Sequence, residues 1–243
     1  MRALILSDVH SNLEALQAVM EDAQRRGGFD IVWLLGDLVG YGPDPSACLE
    51  VLHGCPLLAV AGNHDHAAIG KMDPDEFNYA AAAAARWTAA QLSEDDRAFL
   101  DNLPLVAVAQ PFTLVHGSLR APVWEYLLSP EAALATLALL ETRYCLVGHS
   151  HIPFICKENQ GVPHFVEFTE DDIIELDQER WIINPGCVGQ PRDRDPRPSY
   201  ALYDSESVTI ERHRVTYSIR DTQLKMELAG LPQYLIDRLS HGV

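Results

Sequence analysis

The sequence predicts an α/β fold, and two observations support this prediction. In residues 1–62, short apolar runs alternate with helical patterns, which is typical of parallel strands connected by helices over the faces of a sheet. From residue 105 onward short β-runs dominate, and no linker rich in proline, serine or glycine separates the two halves. We therefore expect the 243 residues to form a single domain over 1–243, with helices at about 220–240 packing on the same core.

The first half begins with three short apolar runs, each closed by a polar or glycine-containing turn. A helical pattern between the first two runs can be capped by Ser11 or Asn12 and ends at Gly27. The helix before the third run starts with Pro45, a residue well suited to a first helical turn. The predicted strands are 3–6, 31–35 and 57–61, and the second helix is 45–52.

Two more helices follow. Residues 75–91 are rich in alanine, the best helix former, so we expect one long helix with Asp73 as its N-cap and Pro74 at its first position. Ser93 opens another helix that runs through Leu100.

The second half is predicted to be mainly β, interrupted by one helix at 129–141. Its runs are short and often β-branched or aromatic, as expected for strands that return to the same core. The predicted strands are 105–108, 112–115, 144–147, 153–156, 164–168, 173–176, 181–183, 200–204 and 207–216.

Composition excludes several function classes. A formal net charge of −17 disfavours any broad nucleic-acid surface, although bound cations can reverse the charge of a site locally. The five cysteines are scattered and form no CxxC pair, which favours free thiols in a reducing cytoplasm. The first apolar run is too short for a signal peptide or a membrane span. The charge does not predict an oligomeric state.

Polar residues of metal-binding type stand at the ends of five predicted strands. In parallel sheets, ligand sites gather at the edge where the carboxyl ends of the strands meet. Taken singly, each block is more often a plain turn or a surface histidine, whereas five in this order predict one site. The blocks are Asp8-Val9-His10, Gly36-Asp37-Leu38-Val39-Gly40, Gly62-Asn63-His64-Asp65, His116-Gly117 and Gly148-His149-Ser150-His151.

The residue types of these blocks indicate a pair of metal ions. Aspartate and histidine suit Mn, Fe, Zn, Co or Ni, and the absence of clustered cysteines argues against structural zinc. A bridging carboxylate, a role open to Asp37, holds two cations about 3.5–4 Å apart. Such a pair lowers the pKa of bound water towards about 7 and stabilises both the attacking and the leaving oxygen of a phosphoryl displacement.

The five blocks together resemble the pattern of the calcineurin-like metallophosphoesterase superfamily: D-x-H, G-D-x-x-G, G-N-H-[DE], a later H, and G-H-x-H. The stretch from Asn184 to Arg192 resembles a later motif of small bacterial, phosphodiesterase-type members. Cys187 stands there where relatives often have serine, and a structural turn is favoured over catalysis. The resemblance implies a four-layer α/β/β/α sandwich with two mixed sheets.

The resemblance also assigns roles to individual residues. His64 would stabilise phosphate charge or protonate the leaving oxygen, and Asp65 would orient His64. One of the two divalent ions would be held by Asp8, His10, Asp37 and His151, and the other by Asp37, Asn63, His116 and His149.

Some residues are weaker candidates for substrate contact. Asn12 can reach the crevice, but it can equally cap the first helix, which we favour slightly. Tyr41 can line the pocket or be a plain loop aromatic, with neither favoured, and Trp124 and Tyr126 can form the pocket rim. Arg192 can contact a phosphate, although the charged stretch around it also fits a solvated loop, which we favour.

The favoured function is hydrolysis of phosphodiester or phosphomonoester bonds by a metal-bound hydroxide, with diesters preferred. The expected partner is a small phosphate ester, nucleotides and dinucleoside polyphosphates included. The alternative is a catalytically silent scaffold for protein partners, like one eukaryotic trafficking subunit of this fold, but intact ligand positions disfavour it. A metallo-β-lactamase fold would need an H-x-H-x-D-H block, which is absent.

Overall fold

The computed structural model describes every residue from Met1 to Val243. The chain forms twelve strands and eight α-helices. The strands are β1 (Arg2–Leu6), β2 (Ile31–Leu34), β3 (Leu57–Ala59), β4 (Val106–Ala109), β5 (Phe112–Val115), β6 (Tyr144–Leu146), β7 (Phe154–Asn159), β8 (Val162–Glu167), β9 (Ile173–Glu175), β10 (Trp181–Asn184), β11 (Ser199–Asp204) and β12 (Thr209–Arg214). The helices are α1 (Leu13–Arg25), α2 (Pro45–His53), α3 (Asn63–Ala68), α4 (Tyr79–Gln91), α5 (Glu94–Asp101), α6 (Pro130–Leu139), α7 (Ile219–Leu228) and α8 (Gln233–Arg238).

The strands form two mixed sheets of six strands each. The first has the order β3-β2-β1-β11-β12-β9 and the second β4-β5-β6-β10-β7-β8. Strands β1, β2 and β3 are parallel, and so are β5, β6 and β10, whereas the remaining neighbours are antiparallel. The parallel part of each sheet therefore has one edge at which the carboxyl ends of its strands meet.

Alternating side chains of the strands create the layers. In β1, Ala3 and Ile5 pack between the two sheets, together with Phe112 and Tyr144 of the second sheet. Residues on the other face of β1 pack instead against α1 and α2. The outer face of the second sheet is covered by α6. The result is helix, sheet, sheet and helix, the four-layer α/β/β/α sandwich that the family resemblance implies.

The predicted helix 75–91 is interrupted. Residues Pro74–Glu76 form a single 3₁₀ turn, and α4 begins only at Tyr79. Asn78 is the reason, because its side chain accepts a hydrogen bond from the backbone N–H of Ala81 and so caps a new helix start. The break sets Phe77 outside both helical segments, which matters for the cavity described below.

The C-terminal helices pack beside the edge that carries the polar blocks. Residues of α7 and α8 form a separate apolar cluster with Tyr41 and with the alanine face of α4. The alanine run thus serves as a helix-packing face. No helix combines the length and the apolar character that crossing a membrane would require.

Candidate metal centre

Both sheets deliver polar side chains to one place in the molecule. In the first sheet the relevant residues follow β1, β2 and β3, and in the second they follow β5 and β6. All are 5% exposed or less, so they lie in the interior although they are polar. We call them the donor cluster: Asp8, His10, Asp37, Asn63, His116, His149 and His151.

The backbone of the donor cluster adopts conformations that non-glycine residues rarely use. Five of its seven members have positive φ angles: 55° at Asp8, 49° at His10, 53° at Asp37, 64° at His149 and 59° at His151. Such conformations cost on the order of 1–3 kcal/mol each and persist where the surrounding structure enforces them, often at functional sites. The left-handed turns direct these side chains away from the strands and into a shared space.

The side-chain atoms converge in two overlapping sets. Donor atoms of Asp8, His10, Asp37 and His151 lie within 4.8 Å of one another, as do those of Asp37, His116 and His149. Asn63 joins the second set, because its Oδ1 lies 3.2 Å from Nε2 of His116. Asp37 belongs to both sets, with its Oδ2 lying 3.5 Å from His10 Nε2 and 3.4 Å from His116 Nε2. The structure thus brings together the seven residues predicted from the sequence.

Each of the four histidines uses one ring nitrogen to contact a backbone carbonyl. The distances are 3.1 Å from His10 Nδ1 to Val39, 2.8 Å from His116 Nδ1 to Leu35, 2.6 Å from His151 Nδ1 to Gln190, and 3.3 Å from His149 Nε2 to Trp124. The other nitrogens face each other, at 3.2 Å between His10 and His151 and 3.0 Å between His116 and His149. Metal-binding histidines are characteristically oriented in this way.

Asp8 provides a direct test of whether the cluster fits cations. Its Oδ2 accepts hydrogen bonds from the backbone N–H of His149, at 3.1 Å, and from the Ser7 hydroxyl. Its Oδ1 is buried and accepts no hydrogen bond, although His151 Nε2 lies 3.2 Å away. A buried carboxylate oxygen without a donor is costly unless a cation faces it. Together with the inward lone pairs of the histidines, it fits divalent transition-metal ions.

Burial and charge act against each other within the cluster. Burial opposes a charge on His116, but the Asp37 carboxylate outweighs it and raises the pKa of His116 to about 9. Burial, together with the neighbouring His116, lowers the pKa of His149 to about 3. Burial also opposes the charge on Asp37, yet the surrounding histidines hold its pKa well below the usual range. The two buried carboxylates, Asp8 and Asp37, therefore need positive charge close by, which divalent ions would supply.

Asp65 does not take the position expected from the sequence. Its carboxylate accepts four backbone N–H hydrogen bonds, from Gly62, Asp37, Leu38 and Val39, at 2.9 to 3.2 Å. It makes none to His64, whose Nδ1 is buried without a partner. The prediction that Asp65 orients His64 is therefore wrong. Asp65 instead holds the turn that carries Asp37, because a carboxylate can accept several N–H groups at once.

A cavity of about 370 Å³ opens directly onto the donor cluster. Asp37, Asn63, His149 and His151 line its inner end, and His64 lies beside them. Burial lowers the pKa of His64 to about 4, so that its imidazole is neutral near pH 7.

Tyr41 and Arg192 also line the cavity, a position that the sequence leaves open for both. The Arg192 guanidinium contacts only neutral groups, Gln190 Oε1 at 3.1 Å and the Tyr41 hydroxyl at 3.4 Å, and forms no ion pair. Its Nε is buried without a partner. Arg192 is therefore not the solvated loop residue that we favoured.

Two other candidates, Asn12 and Cys187, stabilise the fold around the donor cluster. Asn12 caps α1, with Oδ1 accepting from Ala15 N–H at 3.1 Å and Nδ2 donating to the Gly189 carbonyl at 2.9 Å. It does not line the 370 Å³ cavity, and its position is that of the helix cap that the sequence favours. Cys187 lies beneath Asp8, its thiol donating to the Asp8 carbonyl at 3.2 Å. Burial raises its pKa well above the usual range, as expected for a packing residue.

The outer part of the cavity is lined by aromatic rings, which we call the aromatic wall: Phe77, Trp124 and Tyr126. The sequence leaves a position at the rim open for Trp124 and Tyr126, and both line the cavity. Phe77 was missed, together with its neighbours Glu76 and Asn78, because the sequence was interpreted as one helix there. The capping potential of Asn78 was the available signal.

Comparison with known proteins agrees with this geometry. Residues 1–208 match the model of the calcineurin-like phosphoesterase superfamily domain. The chain is 37% identical over 244 residues to the uncharacterized protein MJ0912 of Methanocaldococcus jannaschii, covering 98% of this chain and 97% of that one. It is similar to a metallophosphoesterase from Sphaerobacter thermophilus, with 43% identity, complete coverage of both chains and a TM-score of 0.89.

A more distant similarity joins part of the chain to a symmetrical bis(5′-nucleosyl)-tetraphosphatase of Vibrio cholerae. The identity is 27% over 144 residues, which is 57% of this chain and 52% of that protein.

The family match and the structural match confirm the predicted superfamily and fold. By its five motifs, its four-layer sandwich and these similarities, the chain belongs to the calcineurin-like phosphoesterase superfamily.

Proposed function

We propose that the chain is a phosphoesterase that depends on two divalent metal ions and hydrolyses phosphodiesters in preference to monoesters. The observation that carries the proposal is the orientation of the donor cluster. Its four histidines each have one nitrogen on a backbone carbonyl and the other facing a common space, next to the unpaired Oδ1 of Asp8. The bound ions would supply an activated water and neutralise charge on phosphorus.

The protein's own residues have distinct roles in this proposal. Asp8, His10, Asp37 and His151 would hold one ion, and Asp37, Asn63, His116 and His149 the other. Asp65 fixes the turn of Asp37 through its backbone hydrogen bonds. Asp37 Oδ1 in turn accepts the backbone N–H of His64 at 2.9 Å, so that the turn, the bridging carboxylate and His64 form one connected unit.

His64 and Arg192 would contact the substrate. The neutral imidazole of His64 can donate one N–H to a phosphoryl oxygen or to the leaving oxygen. The guanidinium of Arg192 has no carboxylate partner, and a phosphate oxygen would provide the missing acceptor. Space beyond these residues supports the preference for diesters, because a second ester group fits within the 370 Å³ cavity.

A dinucleoside polyphosphate hydrolase is the second candidate function. The similarity to the Vibrio cholerae protein named for that class supports it, but only for about half of each chain. A catalytically silent scaffold is disfavoured, because all seven donors are present and converge.

The decisive experiment uses protein reconstituted with Mn²⁺ and two chromogenic substrates, bis(p-nitrophenyl) phosphate and p-nitrophenyl phosphate. We expect Asp8→Ala and His149→Ala each to lose on the order of 10³-fold in activity, since a metal ion contributes several kcal/mol to stabilising the transition state. Elemental analysis should show reduced metal content in both variants. His164→Ala is the control, because His164 is an exposed histidine on β8. Full activity in both site variants would contradict the proposal.

A further inference from the structure

The aromatic wall forms two stacks, each of which includes a histidine of the site. Phe77 lies between His64 and Trp124, with ring centroids 4.7 Å and 5.7 Å apart and interplanar angles of 28° and 20°. Tyr126 lies 4.1 Å from His149 at an angle of 11°. Stacked rings thus continue from the inner end of the cavity to its mouth.

Two of these rings remain open to a ligand. Trp124 is 42% exposed and Tyr126 is 49% exposed, although both line the cavity. Exposed aromatic rings at a cavity mouth are costly to hydrate and are well suited to stacking against a flat group. A planar ligand could extend either stack without any rearrangement of the inner rings.

Charge changes sign along the cavity. Arg192 lies near the metal donors and has no ion pair, whereas Glu76 lines the part next to Phe77. An exposed carboxylate there repels a second anionic group and accepts hydrogen bonds from N–H donors. The cavity therefore suits a ligand with a phosphate at one end and a flat, uncharged group with N–H donors at the other.

We propose that the aromatic wall is a nucleobase subsite, and that the substrate is a phosphoester of a nucleoside. The inference rests on the proposed function, which supplies the phosphate end. A nucleotide has the same order of groups as the cavity, with the phosphate, the ribose and a flat base in sequence. The cavity volume of about 370 Å³ lies within the roughly 300–1,000 Å³ typical of small-molecule sites.

Binding to the Mn²⁺-loaded protein tests this inference, with two probes that differ only in the base. Guanosine 5′-monophosphate carries a base with two adjacent N–H donor groups, and ribose 5-phosphate lacks the base. We expect calorimetry to show that the nucleotide binds at least 10-fold more tightly. Trp124→Ala should weaken nucleotide binding by about 5- to 150-fold, the range for loss of one base–aromatic stack. Its affinity for ribose 5-phosphate should not change, and Trp124→Phe should restore most of the nucleotide affinity.

Tyr79→Ala is the matched control, because Tyr79 is an aromatic residue near the cavity that is 88% exposed and does not line it. It should bind both probes as the unsubstituted protein does. Equal affinity for the two probes, or a Trp124→Ala effect of the same size on both, would overturn the nucleobase subsite while leaving the phosphoesterase proposal intact. Binding of neither probe would also overturn the nucleobase subsite, and the chromogenic-substrate assay decides the phosphoesterase proposal separately.

Discussion

The donor cluster and the aromatic wall share one cavity but are built in different ways. The donor cluster stands directly after five strands, on backbone turns with positive φ at five of its seven positions. The aromatic wall comes from a break between two helical segments, at Phe77, and from the segment between β5 and α6 that carries Trp124 and Tyr126. The donor cluster is positioned by two sheets, whereas the aromatic wall is positioned by segments that connect secondary-structure elements.

This difference indicates how each part tolerates change. The turns of the donor cluster are closely packed, so that a small displacement of their backbone would also move the donor atoms. The aromatic wall is partly exposed, and substitutions there should alter ligand preference while leaving the donors in place. The three predictions below test whether the two parts are separable in this sense.

The largest effect is expected from Gly62→Ala, which removes no donor at all. A Cβ at this position would overlap Oδ1 of Asp37 and lie 2.5 Å from the Asp37 backbone nitrogen. The turn of Asp37 would have to move, and a displacement of about 1 Å can cost on the order of 10²-fold in rate. We expect that loss in Mn²⁺-dependent hydrolysis, together with reduced metal content.

Gly54→Ala is the control for that substitution. Gly54 has an ordinary φ of −70°, and its nearest contact would be 3.3 Å, to the Val51 carbonyl. Activity should remain within about 2-fold of the unsubstituted protein. Normal metal content and activity in Gly62→Ala would show that the donor cluster is less tightly held than its geometry indicates.

An intermediate effect is expected from Arg192→Met, which should weaken substrate binding but stabilise the fold. Arg192 lines the cavity that the two regions share, and its Nε is buried without a partner. Loss of the guanidinium should raise KM by about 10- to 100-fold, since a charge-assisted hydrogen bond contributes about 1.5–3 kcal/mol. The free energy of unfolding should rise by about 0.5–1 kcal/mol, because an unsatisfied polar group is removed.

Steady-state kinetics and denaturant unfolding measure both properties on one preparation of Arg192→Met. A stability loss accompanied by an unchanged KM would mean that the guanidinium stabilises the fold and does not bind the substrate phosphate.

The smallest effect is expected from Tyr126→Leu. This change removes the ring stacked on His149, an aromatic contact worth about 0.5–1.5 kcal/mol. Because His149 keeps its 3.3 Å contact with the Trp124 carbonyl, metal content should be unchanged and hydrolysis of a small diester should fall by no more than about 5-fold. Loss of one metal ion in this variant, detected by elemental analysis, would show that the two regions are not separable.

The same division explains what could be predicted from the sequence. Apolar runs that end in Asp8, Asp37 or His149 identify strand ends, and strand ends in parallel sheets meet at a single edge. Motif order then predicts the donor cluster and, through the family resemblance, the two sheets. The aromatic wall follows no such rule: Phe77 lines the cavity only because the Asn78 cap interrupts a segment with strong helix propensity.

The hydrogen-bond partners of side chains within a motif could not be predicted from the sequence either. The neighbouring positions of His64 and Asp65 suggest a contact, but a helix begins at Asn63, and the side chains of adjacent residues do not face each other on a helix. Arg192 was interpreted from the charged residues around it, whereas its surroundings are set by Tyr41 and Gln190. In each case the partner of the side chain depends on the three-dimensional fold and not on the neighbouring residues in the sequence.

The division of the donor cluster between two sheets has a further consequence, for chain entropy. Asp8 and Asp37 come from the first sheet, and His116 and His149 from the second, more than 75 residues further along the chain. Any ion held by both groups closes a long loop, much as a distant cross-link would, and the entropic cost of that closure grows only slowly with length. Ion uptake is thereby linked to assembly of the whole sandwich, since the unfolded chain offers no such site.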